Sequence, residues 1–224
     1  MTPLKEIGEC VISDGENEYF FRPSFINMTR IGEPDEIVQA LYELYNDEVG
    51  DIMRKALKVF GTIPTWLTSH LASPQYNKKA IVTAMTVLQA CSAQDVSALT
   101  GEIVPGRSGK WTFVYRKGRM SLDEMVIIAR SLMAHGVMGK AKVRKLQRHE
   151  GGQASSEFNA FEYISAARTH LGMSRSEAEQ LTMTDFQLLL AAKYPDQKGF
   201  TREEYEATED DFLAKQARRR ARAG

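Results

Sequence analysis

The N-terminal pattern of hydrophobic and polar positions predicts a β-hairpin. Residues 9–12 and 18–21 are short runs of strand-like composition, and a polar turn that contains Gly15 separates them. Such runs favour strands, and glycine supplies the positive φ that a tight turn requires. We therefore expect two antiparallel strands joined by this turn.

The longest helical pattern covers residues 35–60. Pro34 fits the first position of a helix, and Gly50, inside the pattern, is the expected place for a break. The apolar positions recur every three or four residues: Ile37, Leu41, Leu44, Tyr45, Val49, Ile52, Met53, Leu57 and Phe60. Because an apolar stripe of this period normally faces a core, we expect this helix to build the core together with a helix over residues 121–135.

The middle of the chain continues the helical pattern and adds one strand. Residues 78–91 have helical period, residues 92–99 predict a short helix that ends at Gly101, and residues 111–115 alternate as a strand does. Ser121 and Glu124 have the spacing of a capping box, in which each side chain accepts the backbone N–H of the other residue. They predict the start of the helix over residues 121–135.

The C-terminal part predicts three more helices and then a charged tail. Phe158, Phe161, Ile164 and Leu171 have helical spacing, and two further capping boxes, Ser174 with Glu177 and Thr184 with Gln187, predict short helices over residues 175–181 and 185–193. The fold class expected from all these patterns is mainly α with small β-hairpins (α+β).

The chain divides into three parts on composition. A basic and then glycine-rich stretch, residues 140–153, has the character of a linker. We expect a mainly helical unit with two hairpins over residues 1–150, a small helical unit over residues 151–200, and a polar tail over residues 201–224. Because that tail has few apolar side chains to bury, we expect it to be partly disordered until a partner binds.

Charge and cysteine content narrow the choice of partners. The chain has 29 Lys and Arg against 29 Asp and Glu, so net charge does not attract it to nucleic acid or to an anionic membrane. Because a chain without net charge has little electrostatic repulsion between its copies, we expect self-association or binding to a partner. The absence of a secretory signal and of a long apolar run, together with two isolated cysteines, leads us to expect a cytosolic protein.

No known arrangement of catalytic or ligand-binding residues is recognisable in the sequence. The four histidines lack the paired spacing of metal ligands, and no phosphate-binding or dinucleotide-binding glycine motif occurs. We therefore predict that the protein is not an enzyme and has no catalytic, cofactor or metal site.

One alternative is a winged-helix DNA-binding regulator that uses residues 78–119. The helices predicted over residues 78–99 would form a helix-turn-helix, and the strand after them would form a wing with basic residues for phosphates: Arg107, Lys110, Arg116, Lys117 and Arg119. The second helix offers no Arg or Lys to contact bases, so nucleic acid is the less favoured partner.

Two stretches resemble proteins of tailed phages. Residues 172–187, GMSRSEAEQLTMTDFQ, are similar to the small helical module of phage tail assembly chaperones, and residues 22–38, which contain RPSFINM and IGEPDEIV, are similar to uncharacterised proteins encoded in phage structural gene clusters. The resemblance implies a non-enzymatic protein of the host cytoplasm that binds the tape-measure protein and helps to recruit the tail-tube protein.

The resemblance and the local composition together assign partner binding to the C-terminal region. Methionine and other apolar side chains that crowd two short helices suit an adaptable binding surface, and a charged tail follows them. The predicted partner-binding residues are Met173, Leu181, Met183, Phe186, Leu189, Leu190, Phe212, Arg218, Arg219 and Arg220. The alternative is that the six apolar residues of the helices are part of the core.

Overall fold

Helices and two antiparallel hairpins make up the fold of the computed structural model, which describes residues 2–46, 48–71, 74–106, 113–141 and 156–194. The strands are β1 (Cys10–Ser13), β2 (Glu18–Phe21), β3 (Gly101–Pro105) and β4 (Phe113–Lys117). The α-helices of the described residues are α1 (Phe25–Met28), α2 (Pro34–Tyr45), α3 (Glu48–Phe60), α4 (Thr65–Leu71), α5 (Pro74–Cys91), α6 (Ser97–Thr100), α7 (Leu122–Met133), α8 (Ala160–Ala166), α9 (Arg175–Glu179) and α10 (Met183–Lys193). The predicted fold class, mainly α with small hairpins, is confirmed.

The predicted N-terminal hairpin is present. Strands β1 and β2 pair antiparallel, with Cys10 opposite Phe21. The turn between them is held by the Asp14 carboxylate, which accepts the backbone N–H groups of Glu16 and Asn17 at 2.9 and 2.7 Å. The hairpin is fixed to the end of α5, because the Arg22 N–H donates to the Cys91 carbonyl at 2.9 Å.

The expected long helix over residues 35–60 is two helices. The chain leaves α2 at Asn46, whose ψ of 112° is extended rather than helical, and Gly50 lies inside α3. The break therefore comes earlier than the glycine. Pro34 occupies the first turn of α2 as predicted, and Glu33 and Glu36 form the capping box that starts this helix.

The capping box of Ser121 and Glu124 starts α7, as the sequence predicts. The helix continues as a π-helical segment, Ala134–Met138. The second predicted hairpin is also present. Strand β4 lies close to its predicted position, although Trp111 is outside the described residues, and the position of its partner strand β3 was not predicted.

The C-terminal helices confirm one predicted cap and correct the other. Ser174 and Glu177 form the expected capping box of α9. Helix α10 starts earlier than predicted, because its cap is Thr182, whose hydroxyl accepts the Asp185 N–H at 3.1 Å. Thr184 lies inside α10, so the predicted capping box with Gln187 is wrong.

Residues 156–194 share one hydrophobic core with the N-terminal helices. The core joins Phe21, Phe25 and Leu44 to Phe158 and Phe186. Backbone hydrogen bonds reinforce it: Phe25 N–H donates to the Leu181 carbonyl at 2.8 Å, and Phe158 N–H donates to the Pro34 carbonyl at 2.9 Å. The expected boundary near residue 150 lies outside the described residues, as does the tail over residues 201–224.

Candidate protein-binding surfaces

The apolar residues that the sequence assigns to partner binding lie in or against the core. Three of them are buried, with 5%, 4% and 6% of their surface exposed: Leu181, Met183 and Phe186. The other three are half-buried and pack against the same core: Met173, Leu189 and Leu190. The remaining predicted residues are outside the described part of the chain: Phe212, Arg218, Arg219 and Arg220.

The aromatic ring of Phe186 is held between two other rings. Its centroid lies 6.0 Å from those of Phe25 and Tyr163, edge-on to both, and Tyr163 stacks on Phe25 at 5.6 Å. Edge-on and stacked pairs are the favoured arrangements of aromatic side chains. A partner therefore reaches Phe186 only if this part of the core opens.

A buried polar contact fixes the start of α10. The Thr184 hydroxyl lies 2.9 Å from Nδ1 of His135, accepts the Lys140 N–H at 3.0 Å, and has one hydrogen to donate to the His135 ring or carbonyl. Burial, assisted by the charge of Lys140, lowers the pKa of His135. The histidine is therefore held in its neutral form and acts as a structural partner of the threonine.

A second polar cluster joins the N-terminal segment to α10. Arg22 Nε forms an ion pair with Oε1 of the buried Glu9 at 3.0 Å, without the alignment of a hydrogen bond. The other Glu9 oxygen accepts the Leu4 N–H at 2.9 Å. Burial raises the pKa of Asp185 next to this pair, although Arg22 opposes the shift. Glu9 pairs with both Arg22 and the Leu4 backbone, which favours an anchoring role for this cluster over a catalytic one.

An apolar groove of about 420 Å³ lies between α2, the π-helical segment and the start of α8. Tyr42 and Met138 are exposed at its rim, while Phe158 forms part of its buried floor. Tyr45 is held in place, because its hydroxyl donates to the Arg130 carbonyl at 3.1 Å and the Arg130 guanidinium lies 5.7 Å above its ring. The groove is shallow and could accept one or two apolar side chains.

The largest exposed apolar side chains of the described chain include a group on α3 and α4. A small cluster separate from the main core joins Ala56 and Leu67, with Ile52 and Met53 packed on it. Outside this cluster, four side chains have 51%, 73%, 59% and 65% of their surface in water: Leu57, Val59, Phe60 and Trp66. We call these four residues the α3–α4 surface. Large exposed apolar groups of this kind mark interaction sites.

The arrangement of side chains on α3 explains why this surface is exposed. At 100° per residue, the apolar residues from Ile52 to Phe60 cover an arc of about 160°, and Leu67 of α4 covers only part of it. The opposite side of the helix carries Arg54, Lys55 and Lys58. Helix α3 is therefore amphipathic, and a large part of its apolar face contacts solvent.

The sequence that follows Asp51 of α3 lacks acidic residues. Residues 52–94 contain no Asp or Glu, although the whole chain has 29 of them. The same residues include five cations: Arg54, Lys55, Lys58, Lys78 and Lys79. The surface thus combines exposed aromatic and aliphatic groups with positive charge. The sequence analysis missed this site because it assigned Leu57 and Phe60 to the core stripe; the lack of Asp and Glu after Asp51 is the signal that distinguishes the second half of α3 from α2.

Two of the three basic residues of the predicted wing that the structure describes are paired with acidic groups. Arg116 forms an ion pair with Glu102 at 2.7 Å across the β3–β4 hairpin. Arg119 forms one with Glu16 at 3.1 Å and donates to the Asp14 carbonyl at 2.8 Å. Arg107 and Lys110 lie outside the described residues. The paired arginines are less available to DNA phosphates than the sequence alone indicates.

Other reactive groups of the described residues offer little for chemistry. Burial raises the pKa of both Cys10 and Cys91, so neither thiol is activated as a nucleophile. Within the described ranges, no three His, Cys, Asp or Glu side chains are grouped to hold a metal ion. No described helix combines the length and the apolar character that crossing a bilayer requires.

Comparison with known proteins gives one match. No curated protein and no solved structure matches the chain. Residues 21–207 match the model of a family of unknown function, DUF6246. The match covers both the α3–α4 surface and the C-terminal helices, and it extends over well more than half of the 224 residues. The chain belongs to this family of unknown function, DUF6246.

Proposed function

We propose that this chain is a phage tail assembly chaperone or morphogenesis factor, which acts in the host cytoplasm by binding tape-measure and tail-tube proteins. The resemblance of residues 172–187 to the helical module of such chaperones supports the phage assignment. The observation that carries the protein-binding role is the α3–α4 surface, where Phe60 and Trp66 are more than half exposed.

The chemistry of the α3–α4 surface fits an amphipathic helical client. A helix that lays its apolar side on Leu57, Phe60 and Trp66 would remove those side chains from water, at about 1.5–3 kcal/mol for each large side chain fully buried. Lys55 lies next to one edge of the apolar arc of α3 and favours a client helix with carboxylates beside its apolar stripe. Tape-measure proteins are long, helical and prone to aggregate, so their apolar stripes need such cover before the tail assembles.

The six apolar residues of the C-terminal helices have a different part in this proposal. Since Leu181, Met183 and Phe186 are buried in the core, we assign them to holding α9 and α10 in place. Direct partner binding by the C-terminal residues stays a prediction from the sequence. The α3–α4 surface is a site that a client reaches without unfolding the protein.

Co-expression with a tape-measure protein tests this proposal. The double change Phe60→Ala and Trp66→Ala should lower the soluble fraction of the client, because it removes the two exposed aromatic rings of the α3–α4 surface. Phe161→Ala is the matched control, since Phe161 is equally exposed, at 64% against 59% for Phe60, but lies on α8. Equal client solubility with the double variant and the control, at matched levels of folded protein, would reject the proposal.

The winged-helix alternative keeps one supporting observation, which is the order of its elements. Helix α5, helix α6 and the β3–β4 hairpin follow one another as a helix-turn-helix and wing do. Helix α6 has only four residues, however, and a recognition helix needs several side chains along the major groove. With Arg116 and Arg119 already paired, the observations favour protein binding over DNA binding.

A further inference from the structure

A pocket of about 550 Å³ lies between the outer face of the N-terminal hairpin, helix α1 and the end of α5. Successive residues of a strand point to opposite faces of a sheet. Tyr19 and Phe21 of β2 are buried in the core, with 5% and 0% of their surface exposed, whereas Glu18 and Phe20 line the pocket. We call it the hairpin–α1 pocket. The packing of the core thus determines which side chains of β2 the pocket receives.

The hairpin–α1 pocket has a charged group at each of two ends. Nη1 of Arg30 lies 3.5 Å from the Ser92 carbonyl oxygen, and Ser92 pairs with Phe21 in an antiparallel bridge. Glu18 is three residues before Phe21 in β2, a distance of about 10 Å along a strand. The positive group and the negative group are therefore separated along the pocket.

Neither of these charges has an oppositely charged partner in the part of the chain that the structure describes. The ion pairs of those residues include neither Arg30 nor Glu18. Arg22 also lines the pocket, but its charge is matched by Glu9 at 3.0 Å. A ligand that pairs with Arg30 and Glu18 therefore breaks no ion pair within the protein.

The middle of the pocket is apolar. Phe20 lies between the two charges along β2, and its cross-strand partner Val11 is also part of the lining. Ile26 of α1 adds a third half-buried apolar side chain. The exposed Gln94 and Gln180 supply side-chain amides, which both donate and accept hydrogen bonds. A complementary ligand has an apolar group in its centre, a cation on one side and an anion on the other.

We infer that the hairpin–α1 pocket binds an extended peptide segment of a partner protein that carries a basic, an apolar and an acidic residue at alternate positions. The basic side chain pairs with Glu18, the apolar one packs on Phe20, and the acidic one pairs with Arg30. Alternate residues of an extended chain lie on one face at a spacing of about 7 Å. Three such residues follow the line from Glu18 across Phe20 towards Arg30.

The presence of both signs of charge distinguishes this ligand from a nucleic acid or an anionic membrane. Phosphate groups would be attracted by Arg30 but repelled by Glu18. The volume of about 550 Å³ is within the usual range of ligand pockets, about 300–1,000 Å³, and accommodates a few side chains. The inference involves neither the α3–α4 surface nor the client proposed for it.

A titration of the full-length chain with a short synthetic peptide tests the inference. In this mixed-charge peptide, lysine, leucine and glutamate alternate with serine. We expect saturable shifts of the backbone amide signals of residues 18–30 and 91–94 in heteronuclear NMR spectra. Two reference peptides, in which both charged residues are lysine or both are glutamate, should bind roughly fivefold more weakly, because each loses one exposed ion pair. Equal affinity for all three peptides, or the absence of these shifts, would overturn the inference.

Charge reversal in the pocket should change which peptide is preferred. Arg30→Glu should make the peptide with two lysines bind more tightly than the mixed-charge peptide, and Glu18→Lys should favour the peptide with two glutamates. Both residues are exposed, so the fold should be retained, and the NMR spectrum of each free variant checks this.

Lys117→Glu is the matched control, because Lys117 is an exposed cation of β4 that does not line the pocket. It makes the same change in net charge as Arg30→Glu and should keep the preference of the parent chain. An unchanged preference in either pocket variant, or an altered preference in this control, would contradict the assigned pairing.

A single-stranded oligonucleotide tests nucleic acid as the occupant of the same pocket. It should leave the amide signals of the pocket unchanged. If it shifted those signals at a lower concentration than the mixed-charge peptide does, the assignment to a peptide would be wrong. None of these measurements contains a tape-measure protein, so their failure is distinct from failure of the proposed chaperone function.

Discussion

Helices α2 and α3 are neighbours in the chain with similar length and apolar period, yet they meet different surroundings. Helix α2 has 12 residues, and at most 1% of the surface of its Ile37 and Leu44 is exposed. Helix α3 has 13 residues and leaves Val59 and Phe60 with 73% and 59% of their surface in water. The first helix is a component of the core, and the second is available to a partner.

This difference shows that the spacing of apolar residues along a helix identifies its apolar face but does not show which part of the protein packs on that face. The face of α2 lies against α5 and α7 in the main core. Among the residues that the structure describes, the face of α3 lies against a few side chains of a small separate cluster. An amphipathic helix gains most of its stability from packing, so α3 is expected to gain more from a partner than α2 does.

The largest expected effect is on the core that α2 shares with the C-terminal helices. Phe186→Ala should destabilise the protein by about 3–5 kcal/mol, because it removes a buried ring that contacts Phe25 and Tyr163. The free energy of unfolding, measured in urea, checks this value. A decrease in the free energy of unfolding of less than about 1 kcal/mol, as is usual for exposed positions, would show that Phe186 lies outside the core. That result would favour its predicted role in partner binding.

A matched pair of leucines compares the two helices directly. Leu44→Ala on α2 should cost about 2–5 kcal/mol, because Leu44 is fully buried. Leu57→Ala on α3 should change the free energy of unfolding by only about 0.5 kcal/mol, because half of its surface is already exposed. Similar costs at the two positions, from the same urea titration, would remove the contrast on which the account depends.

The polar anchor of α10 should have an intermediate effect. Thr184→Val keeps the shape of the side chain but removes the hydroxyl that accepts the Lys140 N–H and contacts the His135 ring. Leaving these groups without a partner should cost about 1–3 kcal/mol. Thr182→Ser, which keeps a hydroxyl at the helix cap, is the control. A neutral Thr184→Val would mean that this anchor does not position α10.

The stability should also depend on pH through His135. Its pKa is lowered in the folded protein, so the unfolded chain binds more protons and stability is lost as the pH falls below the ordinary value of about 6.5. Asp185, whose pKa is raised, contributes with the opposite sign, since its stability contribution is lost as the pH rises above its ordinary range. His135→Gln should reduce the loss of stability between about pH 7 and pH 5.5. An unchanged pH profile of the melting temperature would show that His135 does not titrate on unfolding.

The smallest expected effect concerns DNA. Arg116→Ala with Lys117→Ala should not alter binding to duplex DNA, because we expect no specific binding to alter. A gel-shift screen of genomic fragments at physiological salt checks this. Recovery of one preferred site whose affinity falls in the double variant would restore the winged-helix alternative.

Local signals in the sequence predicted the parts of the fold that depend on neighbouring residues. The caps at Ser121 and Ser174 were predictable because a capping box needs only a partner three residues along. The cap of α10 was not, because Thr182 and Thr184 are both suitable, and the choice depends on His135, which is 49 residues away and binds the hydroxyl of Thr184.

The candidate site was less predictable than the fold, because it also depends on contacts between residues that are far apart in the sequence. The C-terminal residues of the predicted site include Met183 and Phe186, whose burial depends on rings contributed by distant parts of the chain. Leu57 and Phe60 have the period of a core face, and only the tertiary structure shows that about half or more of each side chain is exposed. The one sequence signal for this surface is the lack of carboxylates over residues 52–94.

Hydrogen exchange of the backbone amides, with and without a tape-measure protein, tests the central claim most directly. We predict that the client adds protection to α3 and α4, over residues 52–68, while the already buried helices α9 and α10 change little. Protection confined to residues 173–190, with none on α3 and α4, would contradict the account and return partner binding to the C-terminal helices.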